Sequence, residues 1–129
     1  MTKMLAGTAG ESLGITITEL GPDFLRGTLP VDARTVQPFG LLHGGSSVLL
    51  AETLASLGGW LCLDPEAGQQ AAGIEINANH LRGVTEGIVT GTARPIHLGR
   101  ATQVWEIRIE DEKGRLACIS RMTAAVIGR

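Results

Sequence analysis

The chain has 129 residues and a formal net charge of −2, and 43% of the residues are hydrophobic. These values fit one globular domain, residues 1–129, and exclude a disordered chain. Only 3% of the residues are aromatic, whereas 18 are glycine. The core must therefore be aliphatic, and the backbone must turn sharply or approach its neighbours closely at many points. We expect tight β-structure around an element with small side chains.

The charged residues are distributed unevenly. Residues 1–81 contain three basic and eight acidic residues, whereas residues 82–129 contain eight basic and five acidic ones. Nucleic-acid binding would require a dense basic stripe with stacking aromatic residues. The sequence has neither, so no nucleic-acid partner is expected, although the arginines of the second half could hold a few phosphates.

The two cysteines and the N-terminus bear on the cellular compartment. Cys62 and Cys118 have no CxxC spacing and lie in apolar surroundings, which predicts buried free thiols in a reducing cytoplasm. The first residues, MTKMLAGTAG, contain too short an apolar run for a signal peptide. We expect a cytoplasmic protein.

Two strands are predicted at the start of the chain. Apolar and polar residues alternate from Leu13 to Leu20 and from Phe24 to Val31, which is the period-two pattern of half-buried strands. The Gly21-Pro22-Asp23 tripeptide between them predicts a turn.

Residues 46–63 form the most apolar stretch, and their 18 residues reach the lower limit for a membrane span. Glu52 near the middle, the Gly58-Gly59 pair and the absence of a basic flank argue against a span, because a carboxylate in lipid is costly. A helix that is apolar on all sides is instead expected at the centre of a soluble core. No membrane partner is expected.

Flanking residues mark the limits of this helix. Gly44-Gly45 interrupts the preceding segment, and Ser46 or Ser47 can cap the first amides. Asp64-Pro65 marks the end. We predict a central helix over about residues 45–63.

Four strands are predicted after the helix. In the best marked one, the side chains of Trp105, Ile107 and Ile109 fall on one face and charged side chains on the other. The turn at residues 111–114 then leads into an antiparallel partner. The predicted strands are 73–81, 88–96, 103–110 and 115–127, with a further turn at 83–87.

The resulting order is β-β-α-β-β-β-β, with antiparallel hairpins after the helix, and belongs to the α+β class. One sheet and one fully apolar helix have one economical arrangement, in which a strongly curved sheet wraps the helix. This is the hot-dog architecture, and the many glycines suit a sheet pressed closely on a helix. Because one end and one flank of the helix stay exposed, we expect a homo-oligomer in which sheets pair edge to edge as a dimer, or as a dimer of dimers.

Glu52 is the outlier of the predicted helix. A lone carboxylate among leucines destabilises an isolated core, unless it points out of the sheet or pairs with an arginine, and that structural interpretation stays open. The functional interpretation places Glu52 at a cleft, where desolvation raises its basicity. Ser56 lies four residues on, on the same helical face, where its hydroxyl could hold a water beside the carboxylate.

The segment QPFGLLHGGSS, residues 37–47, is the second candidate. Two glycines at a helix start leave backbone N–H groups unblocked, and these amides together with the helix dipole favour a developing negative oxygen. Gln37 and His43 flank them with further donors. The alternative is a plain loop-to-helix turn, with His43 as a surface imidazole.

Gly44 and Glu52 are eight residues apart on the predicted helix, about 12 Å at 1.5 Å per residue. A nucleophile and an oxyanion donor must both come within about 3 Å of one carbonyl group. One chain cannot span this gap. We therefore predict that Glu52 of one subunit acts with the 37–44 loop of the other subunit, across a dimer interface.

Other sequence patterns exclude further classes of site. His43, His80 and His97 have no metal-ligand spacing and no cysteine beside them, so no metal site is expected. The sequence contains no GxSxG, Walker or GxGxxG motif, which disfavours a Ser–His–Asp hydrolase.

Five segments of the chain resemble the hot-dog acyl-CoA thioesterases of the Arthrobacter 4-hydroxybenzoyl-CoA type. The similarity runs from about Leu13 to Ile127 and is strongest to the bacterial branch with 1,4-dihydroxy-2-naphthoyl-CoA and enterobactin proofreading thioesterases. HGG followed by a glutamate nine residues after the histidine is fairly specific for that branch. The segments are QPFGLLHGGSSVLLAE, GIEINANHLR, PIHLGR, VWEI and DEKGRL.

The resemblance implies a role for each candidate residue. Glu52 matches the catalytic carboxylate, the Gly44 amide polarises the thioester carbonyl, and Gln37 and His43 support that end. Ser56 matches the position that assists the water or the leaving group. His80 and Arg82 match the segment near the acyl or coenzyme portion, and His97, Gly99, Arg100 and Arg121 lie where coenzyme A phosphates are usually held.

The implied reaction is hydrolysis of an acyl-CoA or acyl carrier-protein thioester to a free acid, with no cofactor beyond the coenzyme A of the substrate. Small side chains at Ala51, Ala55 and Gly58 leave room for a flat aromatic acyl group such as hydroxybenzoyl or dihydroxynaphthoyl. The family is typically a tetramer built from two dimers. Two alternatives stay open: a hot-dog dehydratase, which would need a histidine near the position of Gln37, and a non-catalytic acyl-CoA-binding regulatory domain, which has no use for Glu52 with HGG.

Overall fold

The computed structural model describes residues 1–128. A six-stranded sheet and one long helix make up most of the fold, and the predicted α+β class and hot-dog architecture are confirmed. The elements are α1 (Ala9–Leu13), β1 (Thr16–Leu20), β2 (Leu25–Pro30), α2 (Gly44–Leu61), β3 (Gln70–His80), β4 (Ile88–Leu98), β5 (Thr102–Glu110) and β6 (Leu116–Ile127), with 3₁₀ turns at Thr2–Leu5 and Pro65–Ala67.

The sheet is antiparallel throughout, in the order β1-β2-β4-β5-β6-β3. The β4–β5 and β5–β6 hairpins are confirmed, but β3 pairs with β6 at the edge of the sheet and does not form a hairpin with β4. Because β3 pairs with β6, β4 is free to pair with β2. The strands that precede α2 in the chain and those that follow it therefore form one sheet. Three strand spacings, about 14 Å, separate β3 from β4, and residues 81–87 are long enough to cross them.

The first predicted strand begins too early. Leu13 is the last residue of α1, and β1 starts at Thr16. Gly14 follows in the left-handed conformation, with φ 84°, and ends the helix as a C-terminal glycine does. Because Leu13 packs against the core from this helix, its apolar character mimics the first position of a strand.

Helix α2 packs on one face of the sheet and carries the core. Leu50, Ala51, Leu54 and Ala55 are fully buried. Leu54 packs directly on the sheet backbone, since a Cβ on Gly27 of β2 would lie 2.9 Å from its Cδ2. Glycine thus allows the close approach of sheet and helix that the composition indicates.

The helix spans residues 44–61 against the predicted 45–63. Cys62 follows its last turn and is exposed, so the prediction of a buried thiol is wrong there and right for Cys118. Cys62 follows the last residue of the helix, whereas Cys118 is 1% exposed in β6. Among residues 1–128, no helix combines the length and apolar character needed to cross a membrane.

Candidate active site

His43, and not a serine, caps the start of α2. Its Nδ1 accepts a hydrogen bond of 2.8 Å from the Gly45 N–H, and its carbonyl accepts from the Ser46 and Ser47 N–H groups. The predicted serine cap is wrong because the imidazole of the preceding residue already reaches the first turn, while both serine side chains are buried in the core.

This capping leaves one amide of the first turn unused. Within residues 1–128, the Gly44 N–H donates to no acceptor. The group lies at the positive end of an 18-residue helix, where a partial negative charge is stabilised by the aligned peptide dipoles. The Gly44 amide is therefore free to bind an anionic or carbonyl oxygen.

A cavity of about 360 Å³ lies at this end of the helix and brings four of the predicted site residues together. Gln37 accepts from the Phe39 and Leu41 N–H groups through Oε1, which leaves its Nε2 as a donor. The cavity is lined by Gln37, Gly44, His80 and Arg82, together with Ser47 and Ala117.

His80 lies across the helix start from β3. A Cβ on Gly44 would come 2.8 Å from His80 Nε2, so a side chain at position 44 would displace the imidazole. Glycine at this position keeps both the amide and the imidazole at the cavity. The four polar groups around it are donors or can act as donors, which suits a carbonyl or phosphate oxygen.

The structure does not bring the His43 side chain to this cavity. His43 lines a separate recess with Thr35, Val36 and Leu49, and its Nδ1 is engaged by Gly45. The contact that the structure gives His43 is with the helix start, where its Nδ1 accepts a hydrogen bond and does not act as the expected donor.

Glu52 lies two turns further along α2 and is half-buried. Its Oε2 lies 2.9 Å from the place that a Cβ on Gly73 would take. Within residues 1–128, the carboxylate forms no ion pair and accepts no hydrogen bond, so the alternative of a pairing with an arginine is not observed. Glu52 is a partly desolvated carboxylate without a partner.

Ser56 and Glu52 approach the same side chain of β6. The Ser56 hydroxyl lies 3.8 Å from the Met122 sulfur, and the same sulfur lies 3.5 Å from the built Cβ of Gly73, beside the Glu52 carboxylate. The two residues therefore share one helical face, as the spacing predicts. The hydroxyl itself contacts Met122 and not the carboxylate.

Gly44 and Glu52 belong to two separate halves of one chain. Eight residues of one helix separate them, about 12 Å, and Glu52 does not line the cavity at Gly44. Strand β6 also runs from one half to the other, because Ala117 lines the cavity whereas Ala124 pairs with Gly73, which lies beside the Glu52 carboxylate. Seven strand residues correspond to about 23 Å at 3.3 Å per residue.

The predicted coenzyme-binding residues divide between these halves. His80 and Arg82 lie at the cavity. His97 is near the end of β4, and Gly99 and Arg100 lie in the turn between β4 and β5. The hydrogen bond from the Val126 N–H to the Ala101 carbonyl holds this turn at the far end of β6, on the Glu52 side.

Arg121 lies neither at the Gly44 cavity nor beside Glu52. It is exposed and alternates with the buried Ser120 and Met122, so its side chain faces away from the helix. Its strand neighbours are Asn77 and Glu106. A contact with phosphates from this outer face would need a ligand that reaches around the sheet.

Burial raises the pKa of the Cys118 thiol and so disfavours the thiolate, which is the reactive form. The exposed Cys62 does not line the cavity at Gly44. In the part of the chain that the structure describes, no three His, Cys, Asp or Glu side chains form a group that could hold a metal ion.

Sequence reasoning missed Gly73 as a contact of Glu52. The residue falls inside β3, which begins at Gln70 and not at residue 73. A glycine inside an alternating strand is itself a signal of a bulge or of a close approach, and both are present here.

Comparison with known proteins now places this site in a family. The model of the Thioesterase superfamily matches residues 39–118, which include Gly44, Glu52 and His80. The chain belongs to the thioesterase superfamily. The resemblance seen in its sequence motifs is thereby confirmed.

Individual relatives of this thioesterase agree with the branch indicated by the motifs. A 1,4-dihydroxy-2-naphthoyl-CoA hydrolase of Escherichia coli is 55% identical over 89% of this chain and 83% of the relative. The proofreading thioesterase EntH of Cronobacter sakazakii is 54% identical over 95% of this chain and 88% of the relative. This thioesterase is thus an enzyme that hydrolyses thioesters.

A solved structure shares the whole fold. A thioesterase of Pseudomonas aeruginosa, crystallised as a glutamine-to-alanine mutant, superposes with a TM-score of 0.96 at 46% identity over 99% of this chain and 91% of that chain. The order of strands around α2 is accordingly that of a solved thioesterase.

Proposed function

We propose that this thioesterase hydrolyses acyl-CoA thioesters of aromatic acids to the free acid and coenzyme A. The observation that carries the proposal is the Gly44 N–H, which has no acceptor among residues 1–128 and lies in the cavity at the N-terminus of α2. The name of the E. coli relative supports both the coenzyme and the aromatic class. The reaction uses water, a carboxylate and amide donors, so no further cofactor takes part.

The amide end of the site polarises the substrate. The Gly44 N–H and the helix dipole stabilise the negative charge that develops on the thioester oxygen, as backbone donors do in acyl transfer. The Nε2 group of Gln37 is a second donor at the same cavity. His43 keeps the Gly45 amide occupied and so restricts binding to the Gly44 amide.

Glu52 supplies the nucleophilic end. It either attacks the thioester carbon to form a mixed anhydride or removes a proton from the attacking water, and the Ser56 hydroxyl, on the same helical face, assists the water or the leaving group. Single-turnover hydrolysis in heavy-oxygen water distinguishes the routes. Label in the Glu52 carboxylate supports the anhydride, and label found only in the product acid supports the general base.

The two ends act on one substrate only if they come from two subunits. The separation of about 12 Å along α2 and the exclusion of Glu52 from the cavity support a homo-oligomer, a dimer or a dimer of dimers, with shared sites. Each site then combines the Gly44 cavity of one protomer with Glu52 of another. The free edge of β3 is available for sheet pairing between them.

Subunit complementation tests the shared site. Glu52→Ala and Gly44→Pro proteins are prepared separately and then refolded together. Proline fits the first helical position and removes the N–H, and its side chain also displaces His80 from the same cavity. Each protein alone is expected to be inactive, and the mixture is expected to regain activity through hybrid sites. A mixture that stays inactive, with mixed oligomers shown by differential tagging, contradicts the shared site.

The coenzyme contacts follow the same division. His80 and Arg82 lie at the cavity beside Gly44 and are proposed to contact the acyl or coenzyme portion. His97, Gly99 and Arg100, on the Glu52 side of the chain, are proposed to hold the phosphates. Arg121 is the outermost of these proposed contacts.

Thiol release from a panel of substrates tests the function itself. We expect hydrolysis of dihydroxynaphthoyl-CoA and benzoyl-CoA to exceed that of aliphatic acyl-CoA, with aryl carrier-protein thioesters as a parallel series. Glu52→Gln should lower kcat by about 100-fold or more with little change in KM. The matched control is Glu66→Gln, an exposed carboxylate in the Pro65–Ala67 turn, which should retain activity. Binding without turnover by the wild-type protein would favour a regulatory domain.

A further inference from the structure

The position of the Glu52 carboxylate depends on the absence of a side chain at Gly73. A Cβ built on Gly73 would lie 2.9 Å from Glu52 Oε2 and 3.9 Å from its Cδ. The first distance is shorter than a normal contact between a carbon and an oxygen atom, so one of the two atoms would have to move. The carboxylate therefore lies directly over the backbone of β3, in space that every other amino acid would fill.

No other feature of the structure requires glycine at this position. Its φ is not in the left-handed region, unlike that of seven other glycines within residues 1–128. The remaining close neighbour of its built Cβ, the Met122 sulfur, is at an ordinary contact distance of 3.5 Å. The backbone at Gly73 is exposed, so an added methyl group would meet Glu52 and little else.

The strand is irregular at this point. Gly73 pairs with Ala124 and Glu75 with Thr123, so Ile74 is an extra residue in β3 and is 62% exposed. Such bulges often lie next to active sites, where they redirect the chain. Here the bulge and the glycine together let the carboxylate of a buried helix reach the edge strand of the sheet.

We propose that Gly73 is a positioning residue of this thioesterase: its missing side chain lets the Glu52 carboxylate lie against the edge strand, where it faces the substrate. The proposal rests on the proposed role of Glu52. It adds a second residue, on another element, that sets the geometry of the reaction without contacting the reacting atoms.

The test makes three comparisons of kcat and KM. Gly73→Ala should lower kcat by about 3- to 10-fold, because the 2.9 Å contact opens by a few tenths of an ångström and a displacement of about 1 Å in a reacting group lowers the rate by about 100-fold. KM should change by less than about two-fold. The matched control is Ala72→Ser, which adds one atom on the opposite face of the same strand and should keep both constants.

The third comparison repeats Gly73→Ala in a Glu52→Asp background. Aspartate is one methylene shorter and leaves the space over position 73 empty, so the added methyl group should change kcat by less than about two-fold there. This loss of the effect is the signature of positioning, since a merely structural fault would persist in both backgrounds. The double variant also provides a folded comparison without the close contact.

Two results would overturn the proposal. One is a wild-type kcat for Gly73→Ala together with an inactive Glu52→Gln protein. This result would show that Gly73 has no positioning role and would leave the proposed role of Glu52 intact. The other is an equal loss of kcat in the glutamate and aspartate backgrounds. Wild-type turnover by Glu52→Gln would instead reject the proposed function, and the Gly73 proposal with it.

Discussion

In the Gly58→Ala variant, helix propensity and core packing have opposite effects on the stability of the protein. Gly58 is buried in α2, and alanine in the middle of a helix is favoured over glycine by about 1 kcal/mol. The methyl group, however, would lie 2.8 Å from Cη2 and 3.0 Å from Cζ3 of the Trp105 ring. Propensity predicts stabilisation and packing predicts the opposite.

The ring of Trp105 has little freedom to move. Its Nε1 donates to Gln103 Oε1 at 3.0 Å, and Gln103 Nε2 donates to the Gly59 carbonyl at 3.2 Å. Both side chains are about 2% exposed. Overpacking of a fixed core costs about 1–3 kcal/mol, so after the propensity gain we expect a net loss of stability of about 1 kcal/mol.

Urea unfolding followed by circular dichroism measures this loss, at one protein concentration because assembly contributes to stability. Gly10→Ala is the control, since its built Cβ meets Leu5 and Thr8 only at 3.4 Å or more, and it should not destabilise the protein. In a Trp105→Phe background the cost of Gly58→Ala should shrink. A Gly58→Ala protein as stable as the wild type, or more stable, refutes the reasoning.

Three further outcomes are expected. Ser120→Ala should leave stability unchanged or raise it by up to about 1 kcal/mol in the same urea assay, because the buried hydroxyl has no hydrogen-bond partner within residues 1–128; a clear loss would show that the hydroxyl is satisfied. Hydrogen bonds from the Arg115 amide and side chain hold the pKa of Asp111 below its usual range. The Asp111→Asn protein should thus be less stable at neutral pH, with the difference lost as pH falls through the pKa of the folded state, and a difference unchanged down to acid pH would contradict this. In thiol labelling of the native enzyme, Cys62 should react and the buried Cys118 only after unfolding; labelling of both at equal rates would be the contrary result.

Local patterns predicted the elements that local physics controls. The alternation of Trp105, Ile107 and Ile109 matches the buried face of β5, and the apolar run matches α2 to within two residues at its end. The glycines at 44 and 45 correctly mark the helix start. In each case the deciding contacts lie within a few residues of one another or follow from burial of one face.

These local patterns did not predict the pairings between segments that are distant in the sequence. Strand β3 pairs with β6 and not with the next strand in the chain, and no period in residues 70–80 encodes this choice. The helix cap was misassigned because a His43 ring nitrogen and a serine hydroxyl compete for the same amides. The division of the residues that are proposed to bind the coenzyme follows from the positions of the two ends of β6, which only the register supplies.

The placement of Gly44 and Glu52 on one helix, too far apart to meet, has a consequence for mixed populations of subunits. If the sites are shared as proposed, a subunit that carries both Glu52→Ala and Gly44→Pro inactivates both sites of the dimer that it forms with a wild-type subunit, because each site takes one residue from the variant. Such a subunit is dominant-negative when it is co-expressed with the wild type, whereas either single substitution leaves one site of the mixed dimer working. Genetic interference would thus report the separation of Gly44 and Glu52 by about two turns of one helix.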